Sequence, residues 1–193
     1  MGMSATRPWT AEEVRAMQDE SRAWPRYELI DGELLVTPAP TWDHQEAVMQ
    51  LWRELDDYLH ANPIGRPVVS PADIELEVNT VLQPDVFVVP ARDVRPRGSW
   101  RDIRGLLLAV EILSPSSARH DRVVKRRFFQ RMGVPEYWIM DPYANVVERW
   151  RPGDERAELL ERRMDWHPEG TTEPLVLDLE TFFARVHREE EKG

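Results

Sequence analysis

The chain contains no cysteine, and only two of its 193 residues are lysines, Lys125 and Lys192. Without cysteine, neither disulfide bonds nor thiolate metal sites can form. No apolar run approaches the roughly 20 residues that a membrane-spanning helix needs. The N-terminus also lacks the basic-then-apolar pattern of a secretory signal peptide. These absences favour a cytoplasmic protein without a membrane partner.

The composition is that of an ordinary globular protein, with 41% apolar and 31% charged residues. The length suits one domain with a sizeable core, and no repeat, linker or low-complexity segment divides the chain. We therefore predict a single domain over residues 1–193, with a helix at 10–22 and an acidic tail at 187–193.

Charge is unevenly distributed along the chain. The net charge of −10 does not indicate nucleic-acid binding by the whole surface. Residues 91–104, however, hold five arginines against two aspartates, and residues 118–131 hold five arginines and one lysine against one aspartate. Either these segments form a basic face on an acidic body, or their arginines pair with neighbouring carboxylates.

The order of predicted elements indicates an α/β protein with a mixed sheet and helices packed on it. Asp31-Gly32 lies between two apolar stretches and predicts a tight hairpin turn, because this pair accepts positive φ angles. Periodicity and capping signals predict helices at 10–20, 41–62 and 117–132. Strands are predicted at 67–78, 80–90, 105–114, 136–141 and 145–152.

Two of the apolar strands each carry one acidic residue, Asp85 in "PDVFVV" and Glu111 in "LLLAVEIL". Burying an unpaired carboxylate is costly, so these positions need a partner. Two converging carboxylates repel each other, and a divalent cation such as Mg²⁺ or Mn²⁺ relieves that repulsion. The alternative is that each acid lies at a strand end, in solvent or capping a neighbour.

Lys125 is predicted to face the interior. On a helical wheel of residues 118–132, Lys125 and Asp121 fall on the same arc as Val124, Phe128 and Met132, opposite most of the arginines. A buried ammonium needs negative partners, and the carboxylates of the preceding strand are the natural ones. The alternative is a simple helical pair between Asp121 and Lys125.

These motifs resemble the Uma2 family (DUF820) of the PD-(D/E)XK restriction-endonuclease-like superfamily. The resemblance runs from about Tyr27 to Phe183, the predicted domain core, through "QPDVFVV", "AVEILSPSS", the downstream lysine and "GVPEYWIMDP". It implies a restriction-endonuclease-like central mixed β-sheet flanked by helices. It also implies a homodimer, since nucleases of this superfamily often pair to cut two strands.

The resemblance assigns roles to individual residues. Asp85 and Glu111 would bind Mg²⁺ together with the main-chain carbonyl of Ile112, and Lys125 would orient or activate the attacking water. The sequence departs from the superfamily pattern at Leu113, where the usual lysine would stand, so Lys125 supplies the ammonium from the next helix. Two further predicted site residues are His44, on the inward arc of helix 41–62, and Glu28, as a third metal ligand.

The basic loop between the two acidic strands is the predicted substrate-binding element. Arg97 and Arg101 would contact phosphates, and Trp100 would stack on an exposed base, unless Trp100 only covers the sheet edge. The leading hypothesis is therefore a Mg²⁺-dependent endonuclease that hydrolyses DNA. The alternatives are a catalytically silent nuclease-fold module that binds a partner or assembles, and a hydrolase of small phosphorylated compounds.

Overall fold

The computed structural model describes residues 7–20, 24–95 and 98–187. Arg97, the end of the predicted helix at 10–22 and the predicted tail beyond residue 187 lie outside these ranges. The helices are α1 (Ala11–Glu20), α2 (Trp42–Ala61), α3 (Arg126–Arg131) and α4 (Leu179–Val186). The strands are β1 (Arg26–Ile30), β2 (Glu33–Thr37), β3 (Gly65–Val69), β4 (Val86–Pro90), β5 (Leu108–Ile112), β6 (Tyr137–Asp141), β7 (Val146–Trp150), β8 (Glu158–Leu160), β9 (Arg163–Trp166) and β10 (Leu175–Asp178).

Six strands form a central mixed sheet in the order β3-β4-β5-β6-β7-β8. Only β5 and β6 pair in parallel within this sheet; the other neighbours are antiparallel. Parallel neighbours need a crossover, and the chain between β5 and β6 supplies it as the helix that carries Lys125. The mixed sheet flanked by helices confirms the predicted fold class.

Strand β5 is buried on both faces, as its continuous apolar character predicts. Val110 packs into the core that α2 and α4 share with the sheet, while Ala109 packs into the second core, beneath Phe128 and Phe129 of α3. Glu111 lies on the same face as Ala109 because side chains alternate along a strand. The fold therefore directs Glu111 toward the helix that follows β5.

The β1–β2 hairpin confirms the prediction at Asp31-Gly32. These residues have φ angles of 51° and 81°, and Ile30 pairs with Glu33 across the turn. Leu29 and Val81 exchange backbone hydrogen bonds of 2.8 and 2.9 Å, which fasten the hairpin to the segment preceding β4. This attachment brings one face of β1 to the end of the central sheet.

Three elements differ from the sequence-based expectation. The strand predicted at 80–90 begins only at Val86, as β4, while Val81 and Leu82 form isolated bridges. The strand predicted at 67–78 ends at Val69, and in the segment after it Ile74 forms an isolated bridge with Leu82, outside the named strands. Pro71 lacks the N–H that a continuing ladder would need. The helix predicted at 117–132 is present, but its His120–Lys125 part is a π-helix before α3 begins.

The π-helical segment is hydrogen-bonded to strand β6. Its carbonyl at Asp121 accepts the N–H of Arg126, five residues on, and also the hydroxyl of Tyr137 at 3.1 Å. Lys125 and Asp121 nevertheless both point inward, as the wheel predicts. π-helical turns are rare, and those that do occur often lie at functional sites.

Across the described ranges, no helix is both long and apolar enough to cross a membrane.

Candidate active site

A cavity of about 250 Å³ lies where the end of β5 meets the residue that precedes β4. Four different elements deliver charged side chains to it, and most of the predicted site residues are among them. The cavity lining includes Glu28 from β1, His44 from α2, and Asp85 from the position before β4. It also includes Glu111 and Ile112 from β5 and Lys125 from the π-helix. The structure thus brings together residues that are up to 97 positions apart in the chain.

Lys125 forms the centre of a buried carboxylate cluster. Its Nζ lies 2.8 Å from Glu28 Oε2, 3.0 Å from Glu111 Oε1 and 3.5 Å from Asp121 Oδ1. All four side chains are 5% exposed or less. Lys125 donates a hydrogen bond to Glu111, forms an ion pair with Glu28 and holds Asp121 through charge at a longer distance.

Asp85 is held by different partners. Its Oδ2 accepts the backbone N–H of Ile112 at 3.0 Å and lies 3.0 Å from Nε2 of His44. Its Oδ1 faces Arg26 at the longer distance of 3.4 Å. His44 comes from the first turn of α2, where the Thr41 side chain caps the helix and so fixes the position of His44.

Glu28 is placed at the site but is engaged on both oxygens. Oε1 accepts the backbone N–H of Gln83 at 2.8 Å, and Oε2 pairs with Lys125. A direct metal contact by Glu28 would have to replace one of these bonds. The geometry therefore gives Glu28 a positioning role toward Lys125 rather than an open coordination position.

Asp121 is the most deeply buried acid of the cluster, at 1% exposure. Within the described part of the chain, neither of its oxygens has a hydrogen-bond partner, and Lys125 at 3.5 Å is its nearest cation. Burying an incompletely paired carboxylate is costly. Asp121 is thus a strained member of the site, and its sequence signal was only an inward position on the wheel.

The arrangement shifts the pKa values of its acids in opposite directions. Burial would raise the pKa of Asp85, but the His44 hydrogen bond, the Lys125 charge and the Ile112 N–H lower it below its usual value. Burial raises the pKa of Glu111 well above its usual value, because Lys125 only partly opposes this effect and the neighbouring acids add to it. Two buried carboxylates with opposite shifts are a common feature of catalytic sites.

Lys125 remains a cation in this environment. Burial alone would lower its pKa, but the negative charges of Glu111, Glu28 and Asp121 outweigh burial and hold the pKa well above its usual value. A lysine in this state does not accept a proton near neutral pH. Its chemistry is therefore that of a fixed positive charge.

We expect Asp121→Asn to stabilise the protein at neutral and alkaline pH. Burial raises the pKa of Asp121, so the folded state holds that proton more tightly than the unfolded chain, and the ionised form lowers stability. The gain should be full above the folded-state pKa and should vanish as the pH falls well below about 4, where the unfolded carboxyl is also protonated.

Thermal melting of wild type and Asp121→Asn across this pH range measures the effect, with each kcal/mol corresponding to about 2 to 4 °C for a chain of this size. The exposed substitution Glu161→Gln serves as the control. A lower melting temperature for Asp121→Asn at about pH 8 would show that the ionised carboxylate stabilises the fold.

The donor chemistry of the cavity fits a small divalent ion. Asp85 and Glu111 offer carboxylate oxygens. The carbonyl of Ile112 points to the same strand edge as its N–H, which contacts Asp85. In residues 7–20, 24–95 and 98–187, no three histidine or acidic side chains group closely enough to hold a metal unaided. Two carboxylates with a carbonyl and waters are the kind of oxygen set that Mg²⁺ accepts.

Two of the predicted substrate-binding residues, Trp100 and Arg101, do not line this cavity. Trp100 packs edge-on against Phe87 with ring centroids 6.4 Å apart and lines a separate cavity of about 270 Å³, and Arg101 pairs with Glu75 at 3.1 Å. Trp100 thus covers the sheet, which was the alternative interpretation. Arg97 lies outside the described residues.

Arg26 is a charged residue of the cavity that the sequence motifs did not indicate. It lies two positions before Glu28 on β1, so alternation places both side chains on one face of the strand. That spacing was the available signal.

A mixed sheet flanked by helices, with acids at one end of its central strands, is consistent with a nuclease-like fold. The chain belongs to the Uma2 family: the model of that family, described as "Putative restriction endonuclease", matches residues 11–185. This match confirms the resemblance that the sequence motifs indicate.

The structure is also similar to the crystal structure of a "putative nuclease belonging to DUF820" from Anabaena variabilis ATCC 29413. The TM-score is 0.69, the sequence identity is 18%, and the alignment covers 93% of this chain and 99% of that one. At this identity the likeness establishes the fold. Among proteins with curated functions, none matches this chain.

Proposed function

We propose that this protein is a Mg²⁺- or Mn²⁺-dependent endonuclease that hydrolyses phosphodiester bonds in DNA. The observation that carries the proposal is the convergence of Asp85, Glu111 and Lys125 from separate elements in one cavity. Membership of a family described as "Putative restriction endonuclease" supports the choice of reaction and of DNA as the substrate.

Asp85, Glu111 and the carbonyl of Ile112 would hold the divalent ion. When bound, such an ion supplies Lewis-acid polarisation of the scissile phosphate and lowers the pKa of a water. The low pKa of Asp85 keeps it ionised at neutral pH and ready to act as a ligand. His44 Nε2 contacts Oδ2 of Asp85 and so fixes the orientation of that carboxylate.

Lys125 contributes a permanent positive charge next to Glu111. It holds Glu111 in place through a hydrogen bond and offsets the negative charge of Glu28, Glu111 and Asp121. A fixed charge stabilises negative charge that develops on a phosphate in the transition state. Lys125 therefore acts by electrostatics and does not take the proton of the attacking water.

Cleavage assays with plasmid DNA, single-stranded DNA and RNA across a Mg²⁺ and Mn²⁺ titration test this proposal. We expect wild type to cut DNA only with metal present. Asp85→Ala should lower kcat about 10²-fold or more, because it removes one of the two carboxylate ligands. Wild-type activity that persists in EDTA, or an Asp85→Ala variant as active as wild type, would contradict the proposed site.

A catalytically silent module of the nuclease fold is the second candidate, and one observation favours it. The buried acids already have internal partners in Lys125, His44 and Arg26. Part of their negative charge is therefore balanced without a metal ion. Such a module would bind partners without metal-dependent turnover. Absence of cleavage on all three substrates, together with absence of metal binding, would select this candidate.

A further inference from the structure

Arg26 presents a guanidinium with unused donors at the wall of the site cavity. Its side chain is 12% exposed and lies over the Trp24 ring, with 4.5 Å between the guanidinium carbon and the ring centroid. A guanidinium has five N–H donors. Among the described residues, only Asp85 Oδ1 accepts a hydrogen bond from it.

The contact between Arg26 and Asp85 is loose. At 3.4 Å it is longer than the roughly 2.7 to 2.9 Å of a strong charge-assisted hydrogen bond. The other Asp85 oxygen, in contrast, has the N–H of Ile112 and His44 Nε2, both at 3.0 Å. Oδ1 is therefore the oxygen of Asp85 that can change partners at the lowest cost.

We propose that Arg26 is an exchangeable counter-ion that couples metal binding to substrate binding. Without metal, Arg26 pairs with Asp85. With substrate present, the guanidinium turns to a phosphate group, and Asp85 Oδ1 becomes free for the divalent ion. The inference rests on the metal site of the proposed function and adds a phosphate-binding residue to it.

The chemistry of both partners supports this exchange. A guanidinium binds phosphate through two parallel N–H donors, which is a better match than the single long contact with Asp85. The Trp24 ring restricts Arg26 to the cavity wall, so its movement is a short rotation within the site. Because binding free energies are linked, phosphate that draws Arg26 away must strengthen metal binding, and metal must strengthen phosphate binding by the same factor.

The affinity for Mn²⁺, followed by the electron paramagnetic resonance signal of the free ion, tests the coupling without using activity. The phosphate probe is thymidine 3′,5′-bisphosphate, which contains no phosphodiester bond and so is not consumed by the proposed reaction. In wild type we expect the probe to lower the Kd for Mn²⁺ about fivefold or more, within the usual range of coupling between sites.

Arg26→Gln separates the two roles. It should bind Mn²⁺ more tightly than wild type in the absence of the probe, because the competing cation is gone. The factor by which the probe lowers the Kd for Mn²⁺ should also be about fivefold smaller than in wild type. Arg26→Lys, which keeps a charge but not the planar fork, should retain the competition and lose most of the coupling.

Arg185→Gln is the matched control, since Arg185 pairs with Glu54 at 3.6 Å and does not line the site cavity. If Arg26→Gln binds Mn²⁺ with wild-type affinity and wild-type coupling, while its melting temperature shows a folded protein, the counter-ion proposal is overturned and the metal site stands. If wild type binds no Mn²⁺ at all, the proposed metal site fails, and the coupling fails with it.

Discussion

Lys125→Met is expected to lower the stability of this protein more than any other single change in the cavity, and to lower its activity as well. The ammonium is the shared partner of Glu28, Glu111 and Asp121, at 2.8, 3.0 and 3.5 Å. Removing one member of a buried ion pair typically costs about 3 to 5 kcal/mol, because the remaining charge stays buried. Methionine keeps an unbranched side chain, one atom shorter, and removes the charge together with its N–H donors.

The expected readouts are a lower melting temperature, by about 2 to 4 °C for each kcal/mol, and a fall in kcat of about 10² to 10³ on DNA with Mg²⁺. Adding Glu28→Gln to Lys125→Met should recover stability, since it removes one uncompensated charge, without recovering activity. A Lys125→Met variant as stable as wild type would mean that the carboxylates are protonated and do not need the ammonium.

Glu111→Gln is expected to lower activity strongly while leaving stability unchanged or raised. Burial raises the pKa of Glu111, so its ionised form is unfavourable in the folded state. Glutamine keeps an oxygen for the hydrogen bond from Lys125 and removes that charge, while Glu28 and Asp121 still balance the ammonium. The same change removes a proposed metal ligand, and we expect kcat to fall about 10²-fold or more.

Melting curves and cleavage rates for Glu111→Gln, measured beside the exposed control Glu161→Gln, test both halves of this expectation. A gain in stability with a loss of function is the behaviour of a functional site that carries electrostatic strain. Loss of both in Glu111→Gln would instead assign Glu111 to the structural core, and full activity would remove it from the site.

Together, the two substitutions distinguish positioning from strain within one cluster. Lys125 and Glu111 are 3.0 Å apart and were predicted as partners, yet we expect their replacement to change stability in opposite directions. The reason is that the cluster has more acids than cations at its centre. An ion such as Mg²⁺ would reduce this excess, which is consistent with the oxygen donors that Asp85 and Glu111 offer.

Local patterns in the sequence were sufficient for the parts of the site that lie on regular elements. Strand alternation placed Glu111 on the face of β5 that meets the following helix, and the helical wheel placed Lys125 inward. The wheel remained useful although His120–Lys125 is π-helical, because both Asp121 and Lys125 lie close to the middle of the buried arc.

Other parts depend on contacts between distant segments. The π-helical turn shares the Asp121 carbonyl with the Tyr137 hydroxyl of β6, and no local pattern encodes that bond. The charge of the 91–104 loop suggested a role in substrate binding, but charge does not specify a path, and Trp100 packs on Phe87 away from the cavity. Arg26 enters the site because the β1–β2 hairpin is fastened to Val81.

Direct titration of Mn²⁺ into the protein by isothermal calorimetry tests the central claim, that Asp85 and Glu111 together form a divalent-metal site. We expect about one ion bound per chain in wild type. The affinity should fall roughly 10- to 100-fold or more in both Asp85→Asn and Glu111→Gln and stay unchanged in Glu161→Gln. Wild type that binds no ion, or binding that both cavity variants retain at full affinity, would contradict it.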